Sequence, residues 1–135
     1  RELARRMRDR PFDAILGIAR GGLVPTALIA QELGLRDVMV ASVASYSGDV
    51  PGPLRFLQFP NDRQLAGRRV LVADDTWETG RTLHEVRERS ERAGADVTVA
   101  VLHYKPKRSL YLAEHPDLWC IETAEWVLYP WERDT

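Results

Sequence analysis

The sequence predicts an α/β fold in which a parallel sheet is flanked by helices and covered at one end by a small carboxyl-terminal hood. Short apolar runs alternate with segments of helical periodicity, as a parallel sheet with crossover helices demands. A chain of 135 residues with 44% hydrophobic content can bury one core of ordinary size but not two. Beyond Lys105 the alternation gives way to an irregular stretch punctuated by Pro116 and Pro130 and rich in Trp and Tyr. The expected organisation is therefore a single domain over residues 1–135, with about 105–135 forming the hood.

Leu3, Ala4 and Met7 mark the inward side of an opening amphipathic helix, and the five arginines between Arg1 and Arg10 mark its wet face. Ala14 to Ile18 reads as a buried strand. After Arg20-Gly21-Gly22 a helix is expected over Leu23 to Leu33, with Pro25 in its first turn and Gly34 as its stop. Val38 to Val43 gives a second strand, and Ala44 to Pro60 a long Gly- and Pro-rich loop in which Leu54 to Phe59 can pair as an edge strand. Val70 to Ala73 is a strand running into Asp74-Asp75, followed by a helix from about Gly80 to Ala93 that buries Leu83, Val86, Ser90 and Ala93. Val97 to Tyr104 forms a further strand.

The 19 basic and 20 acidic side chains nearly cancel, so there is no global field to gather nucleic acid or anionic lipid, and anionic ligands must be held locally. Cys120 is the sole cysteine; it excludes an internal disulfide, fits a reducing cytoplasm and reads as a small buried hydrophobe. No stretch reaches the roughly 18 apolar residues of a membrane span, and the start does not resemble a signal peptide, so a cytoplasmic location is expected. Because residue 1 is Arg, a short preceding piece is expected to be missing. His84, His103 and His115 have no metal-ligand spacing and read as structural.

In an open parallel sheet, ligands bind beyond the carboxyl ends of the strands. The run Val70-Leu-Val-Ala-Asp74-Asp75-Thr76-Trp77-Glu78-Thr79-Gly80-Arg81-Thr82-Leu83 is placed there. Its amides from Thr79 to Thr82, the Thr hydroxyls and the positive helix end offer a cradle for a phosphate dianion. The acids before it would repel a triphosphate but accept hydrogen bonds from a vicinal diol, and one of them can share magnesium with the diol oxygens. A phosphorylated sugar suits both halves. The run resembles the 5-phosphoribosyl-1-pyrophosphate (PRPP) signature of the type I phosphoribosyltransferases, closest in motif to the bacterial and archaeal xanthine-guanine enzymes.

That resemblance implies the type I phosphoribosyltransferase fold and a role for each position. Asp74 and Asp75 would hold the ribose hydroxyls, with Asp75 the partner of Mg2+, and Thr79, Gly80, Arg81 and Thr82 would wrap the 5'-phosphate. Glu78 stands where the 6-oxopurine enzymes usually carry Asp, the residue that takes the proton from the purine ring nitrogen or steadies the oxocarbenium-like ribose. Ile18-Ala19-Arg20-Gly21-Gly22 resembles the pyrophosphate loop, with Ala19, Arg20 and Gly21 at the anion, and Ser45-Tyr46 opens a segment that would close over it and exclude water.

Of the 19 basic residues only Lys105 and Lys107 are lysines, which suggests that Lys is kept where a compact ammonium is needed. Lys105 resembles the family's lysine that donates to the purine 6-oxo group, a contact that disfavours adenine donor to donor. Trp126 and Val127, in Glu125-Trp126-Val127-Leu128-Tyr129-Pro130-Trp131-Glu132, match the tail of xanthine-guanine phosphoribosyltransferases, where an aromatic ring stacks on the purine and the next backbone group reads its edge. The expected enzyme transfers phosphoribosyl from PRPP to guanine, xanthine or hypoxanthine in purine salvage, as a homodimer or homotetramer by family habit, with no nucleic acid or membrane partner. The alternatives are a PRPP-sensing regulator that binds nucleic acid, and a transferase for adenine or a pyrimidine.

Overall fold

A computed structural model describes residues 1–45 and 53–132, with Ser45 described by its backbone alone. The elements are α1 (Glu2–Met7), β1 (Ala14–Ala19), α2 (Leu23–Leu33), β2 (Val38–Ser45), β3 (Leu54–Gln58), α3 (Asp62–Leu65), β4 (Arg69–Trp77), α4 (Arg81–Arg92), β5 (Asp96–Tyr104) and β6 (Leu118–Glu122). The strands form one sheet in the order β3-β2-β1-β4-β5-β6. All neighbouring pairs are parallel except β2 with β3, which run antiparallel.

Alternation along the strands splits the core in two. Leu16 and Ile18 of β1, Val70 and Val72 of β4, and Val99 and Val101 of β5 pack with Leu83 and Val86 of α4 and Leu65 of α3. Ile15, Leu71, Ala73 and Ala100 pack on the other side with α1 and α2 through Leu3, Met7, Ile29 and Ala30. Residues 70–73 are apolar without interruption because both faces of β4 are covered. The opening helix buries the expected Leu3, Ala4 and Met7 and ends at Met7.

Beyond β2 running on to Ser45 and the half-burial of Ala93 and Cys120, three stretches depart from what the sequence predicts, the first being the strand expected over Val70 to Ala73. Instead of stopping at Ala73, β4 continues to Trp77, paired with β5 from Asp74↔Val101 to Trp77↔Tyr104. Asp has little preference for strands, but the long ladder and the full burial of Trp77 override it. The stretch beyond Lys105 contributes β6 to the sheet, with Asp117 Oδ2 accepting the Val99 amide proton at 2.7 Å just before the strand begins. Its five residues have little intrinsic signal and are held by pairing with β5. The short α3 carries a capping box between Asn61 and Gln64 that the reading passed over.

At the amino ends of the central strands the acids are clamped. Arg69 Nη2 meets Asp13 Oδ1 at 3.2 Å, and the Arg69 amide donates to Asp13 Oδ2 at 2.8 Å. These bonds, the side-chain one foremost, hold the Asp13 carboxyl below its ordinary value. Arg68 reaches both the Asp13 carbonyl and the Asp37 carboxylate.

The sheet is the structural core, so a cavity in it carries a large penalty. Leu71→Ala, at a position fully removed from solvent, should lower unfolding free energy by about 2–5 kcal/mol in a urea titration.

Candidate active site

The strand order places a switch point between β1 and β4. From β1 the chain winds through α2 to β2 on one side, and from β4 through α4 to β5 on the other, so a crevice opens above their carboxyl ends. Residues 20–22 follow β1 and residues 78–80 follow β4 at these ends. The Ala19–Arg20 peptide is cis. A Cβ added to Gly21 would lie 2.3 Å from Asp75 Oδ2, so only a residue without a side chain lets this turn rest on the carboxylate. Arg20 is exposed and has no ion pair among the described residues.

Asp74 Oδ1 accepts the Asp75 amide proton at 2.8 Å, and both side chains are half-buried in the last part of β4. No ion pair among the described residues involves either carboxylate. Burial first, and the neighbouring Asp75 charge second, push the Asp74 carboxyl well above the ordinary Asp range. Adjacent acids lacking a counter-charge fit an incoming cation or a hydroxyl donor pair. The described residues contain no cluster of three or more His, Cys, Asp or Glu able to cage a metal. A magnesium ion carried by a substrate needs only one or two carboxylates, and this ledge fits that use.

Behind the acids, Gly80 caps α4 in the left-handed conformation at φ 83° and ψ 0°. A Cβ there would meet Trp77 Nε1 at 2.2 Å. The buried indole therefore forms the floor of the turn, and its N–H donates to Ser109 Oγ at 3.1 Å. Thr79 is exposed, with its Oγ1 accepting the Arg81 amide proton at 3.3 Å. The Thr82 and Leu83 amides lie in the first helical turn, where no carbonyl one turn earlier can accept from them. The turn is tied to the following loop by Leu110 N–H donating to the Thr79 carbonyl at 2.9 Å.

A third group gathers at the end of β5. Lys105 is only 4% exposed, and its amide donates to the Trp77 carbonyl at 2.9 Å. Its ammonium lies 3.9 Å from Glu78 Oε1 and 5.7 Å from the centre of the Trp126 ring. Glu78 is also paired with Arg108. Trp126 is 79% exposed, leaving a broad aromatic face open beside a buried cation. Val127 is half-buried next to it.

The fold thus brings together Asp74, Asp75, Glu78, Thr79, Gly80 and Lys105 with Gly21 and Trp126. Ser45 ends β2, its side chain undescribed, and Tyr46 lies outside the described residues. Sequence reasoning missed Tyr129, buried at 6%, whose hydroxyl lies 2.6 Å from both Thr76 Oγ1 and His103 Nδ1 and 3.2 Å from the Asp75 carbonyl. It also missed Arg108. Tyr129 sits in the quoted tail motif, so its proximity in sequence to Trp126 was the available signal. Nothing in the sequence announced that Arg108 folds back onto Glu78. His84 bonds to Glu114 at 2.6 Å and stacks on Tyr111.

An acid pair at the switch point of the sheet with a helix amino-terminus following it is an arrangement suited to a ligand that carries hydroxyls and phosphate. Residues 1–132 match the family model described as the phosphoribosyl transferase domain. A xanthine-guanine phosphoribosyltransferase of Cereibacter sphaeroides (strain ATCC 17025 / ATH 2.4.3) is 31% identical over 120 residues, covering 88% of this chain and 68% of that protein. The purine phosphoribosyltransferase from Pyrococcus horikoshii Ot3 superposes with a TM-score of 0.87 at 32% identity, over 99% of this chain and 87% of that one. A hypothetical protein from Neisseria gonorrhoeae with bound ppGpp superposes at 0.81 with 26% identity, over 98% and 81% of the two chains. The chain belongs to the phosphoribosyl transferase family and is an enzyme of that family.

Gly80→Ala would force a side chain into the Trp77 indole at a positive φ. Thermal unfolding should show a loss of at least about 1–3 kcal/mol, and an unchanged midpoint would contradict the turn geometry.

Proposed function

We propose that this enzyme transfers the phosphoribosyl group of PRPP to a 6-oxopurine, releasing pyrophosphate and giving the nucleoside 5'-monophosphate. The observation that carries the proposal is the meeting of Lys105, Glu78 and Trp126 beside the Asp74-Asp75 ledge. The similarity to the Cereibacter xanthine-guanine phosphoribosyltransferase supports the same choice of base.

Asp74 and Asp75 accept hydrogen bonds from the ribose hydroxyls, and the amides of 79–82 with Arg81 hold the 5'-phosphate at the α4 terminus. Arg20 and the backbone at Ala19 and Gly21 receive the pyrophosphate. Asp75 is the residue that would hold a substrate-borne Mg2+, which when bound would supply charge neutralisation for the departing pyrophosphate. Trp126 offers its open face to the purine, Val127 presents its backbone to the ring edge, and Lys105 donates to the 6-oxo group. Before the base arrives, Lys105 leans toward Glu78, so the purine takes over an ammonium already desolvated by the fold. As the bond from ribose C1' to the pyrophosphate oxygen breaks and the bond to purine nitrogen forms, Glu78 accepts the ring proton or steadies positive charge on the ribose.

A purine and pyrimidine screen with PRPP and Mg2+ should show turnover of guanine, xanthine or hypoxanthine and none of adenine. Absence of turnover with every base, combined with salt-sensitive nucleic-acid binding, would instead support a PRPP-sensing regulator. Glu78→Gln should retain PRPP binding by calorimetry while kcat falls about 10²- to 10⁴-fold. Lys105→Ala should lower kcat/KM for 6-oxopurines by about 10- to 100-fold, matching the roughly 1.5–3 kcal/mol of a hydrogen bond to a charged group. Unchanged base preference in that variant would remove the support for 6-oxopurines. Because the gonococcal neighbour carries ppGpp, that compound is also expected to compete with PRPP in the same assay.

A further inference from the structure

The Tyr129 hydroxyl joins three parts of the molecule that are distant in sequence. Its partners are the Thr76 side chain and the Asp75 carbonyl on β4, and the His103 ring on β5. The Tyr129 ring stacks on Trp131 at 5.0 Å and 14°. Three residues before it lies Trp126, whose side chain is otherwise largely in solvent. The tail bearing that exposed aromatic face is therefore fastened, through one buried hydroxyl, to the strand that carries the acid pair.

Hydrogen-bond capacity fixes the direction of the contacts. A carbonyl only accepts, and a phenol has one proton to give and two lone pairs to receive with. For all three contacts to be hydrogen bonds, Tyr129 donates to the Asp75 carbonyl while Thr76 Oγ1–H and His103 Nδ1–H donate to Tyr129. Burial pushes the Tyr129 hydroxyl up to about 12, so it keeps the proton this arrangement requires. No partner in the set is a charged side chain that would hold the tail by attraction alone; the bonds are directional and set a distance.

We propose that Tyr129 is a positioning residue for base binding: its hydroxyl fixes the separation between the Trp126 platform and the Asp75 segment, so that a purine stacked on Trp126 is presented to the ribose at bonding distance. This rests on the phosphoribosyl-transfer reading above and concerns neither the phosphate cradle nor the pyrophosphate loop. Its signature is selective loss of purine affinity, with PRPP binding intact.

The test uses the full chain and Tyr129→Phe, which keeps the ring and its stacking on Trp131 and removes only the hydroxyl. Steady-state kinetics with guanine and hypoxanthine should show the purine KM raised about three- to tenfold, consistent with loss of a buried hydrogen-bond set. The Kd for PRPP with Mg2+, measured by calorimetry without purine, should stay within twofold. Amide hydrogen exchange across 123–132 should accelerate in the ligand-free variant. Thr76→Val, which removes one of the three partners at constant shape, should move the purine KM in the same direction by a smaller factor and serves in place of Tyr129→Phe if that variant does not fold. An unchanged purine KM in a folded variant overturns the proposal, and so does an equal rise in the PRPP Kd, which would mark a general loss of structure. Failure of the unmodified protein to use any purine would instead sink the transferase reading and take this proposal with it.

Discussion

Two carboxylates are held side by side at the top of a central strand with no ion-pair partner among the described residues, and the surrounding structure is arranged around that electrostatic debt. Burying like charges together raises the cost of ionisation, and the fold tolerates it because the acids stand at a point where the sheet parts and a ligand can supply the missing cation or hydroxyl donors. The turn at Gly21 lies directly on one of them, leaving no room for a side chain that could satisfy the carboxylate from within. The α4 amino-terminus follows a few residues after the acids, and its amides favour negative charge. Repulsion and attraction for anions therefore lie close together, which suits the proposed substrate with hydroxyls at one end and phosphate at the other.

The cationic side of the crevice is arranged in the reverse manner. Lys105 is almost wholly buried, but its charge is shared with Glu78 and faces an indole ring. Arg108 also claims Glu78, so the carboxylate has a defined position although its side chain carries one methylene more than the Asp usual in the family. Trp77 holds these parts in common. Its carbonyl receives the Lys105 amide, its ring underlies Gly80, and its N–H fixes the loop through Ser109. A single buried indole thus ties the Gly80 turn to Lys105 and the loop that carries Ser109.

Much of this was legible in the sequence because the residues concerned are constrained locally. The Asp-Asp pair, the Thr-Gly turn and the Arg-Gly-Gly turn are short contiguous patterns whose chemistry can be read without knowing what lies opposite them. The bounds of α2 were readable for the same reason, since Gly34 marks its end. What escaped depends on partners far along the chain. The extension of β4 to Trp77 needs the β5 ladder, β6 needs the same ladder from the other side, and the role of Tyr129 needs His103 and Thr76 at 26 and 53 residues' remove. Arg108 belongs to no local motif, and only its return to Glu78 distinguishes it.

The clamped acids beneath the sheet have a consequence for how the molecule can be handled. There Asp13 and Asp37 are each answered by an arginine, whereas Asp74 and Asp75 above them are answered by none among the described residues. The protein is in this sense a battery with one terminal shorted and the other left open. Tethers, dyes or surface attachments belong on the shorted pole, where they leave the open one free to face solution.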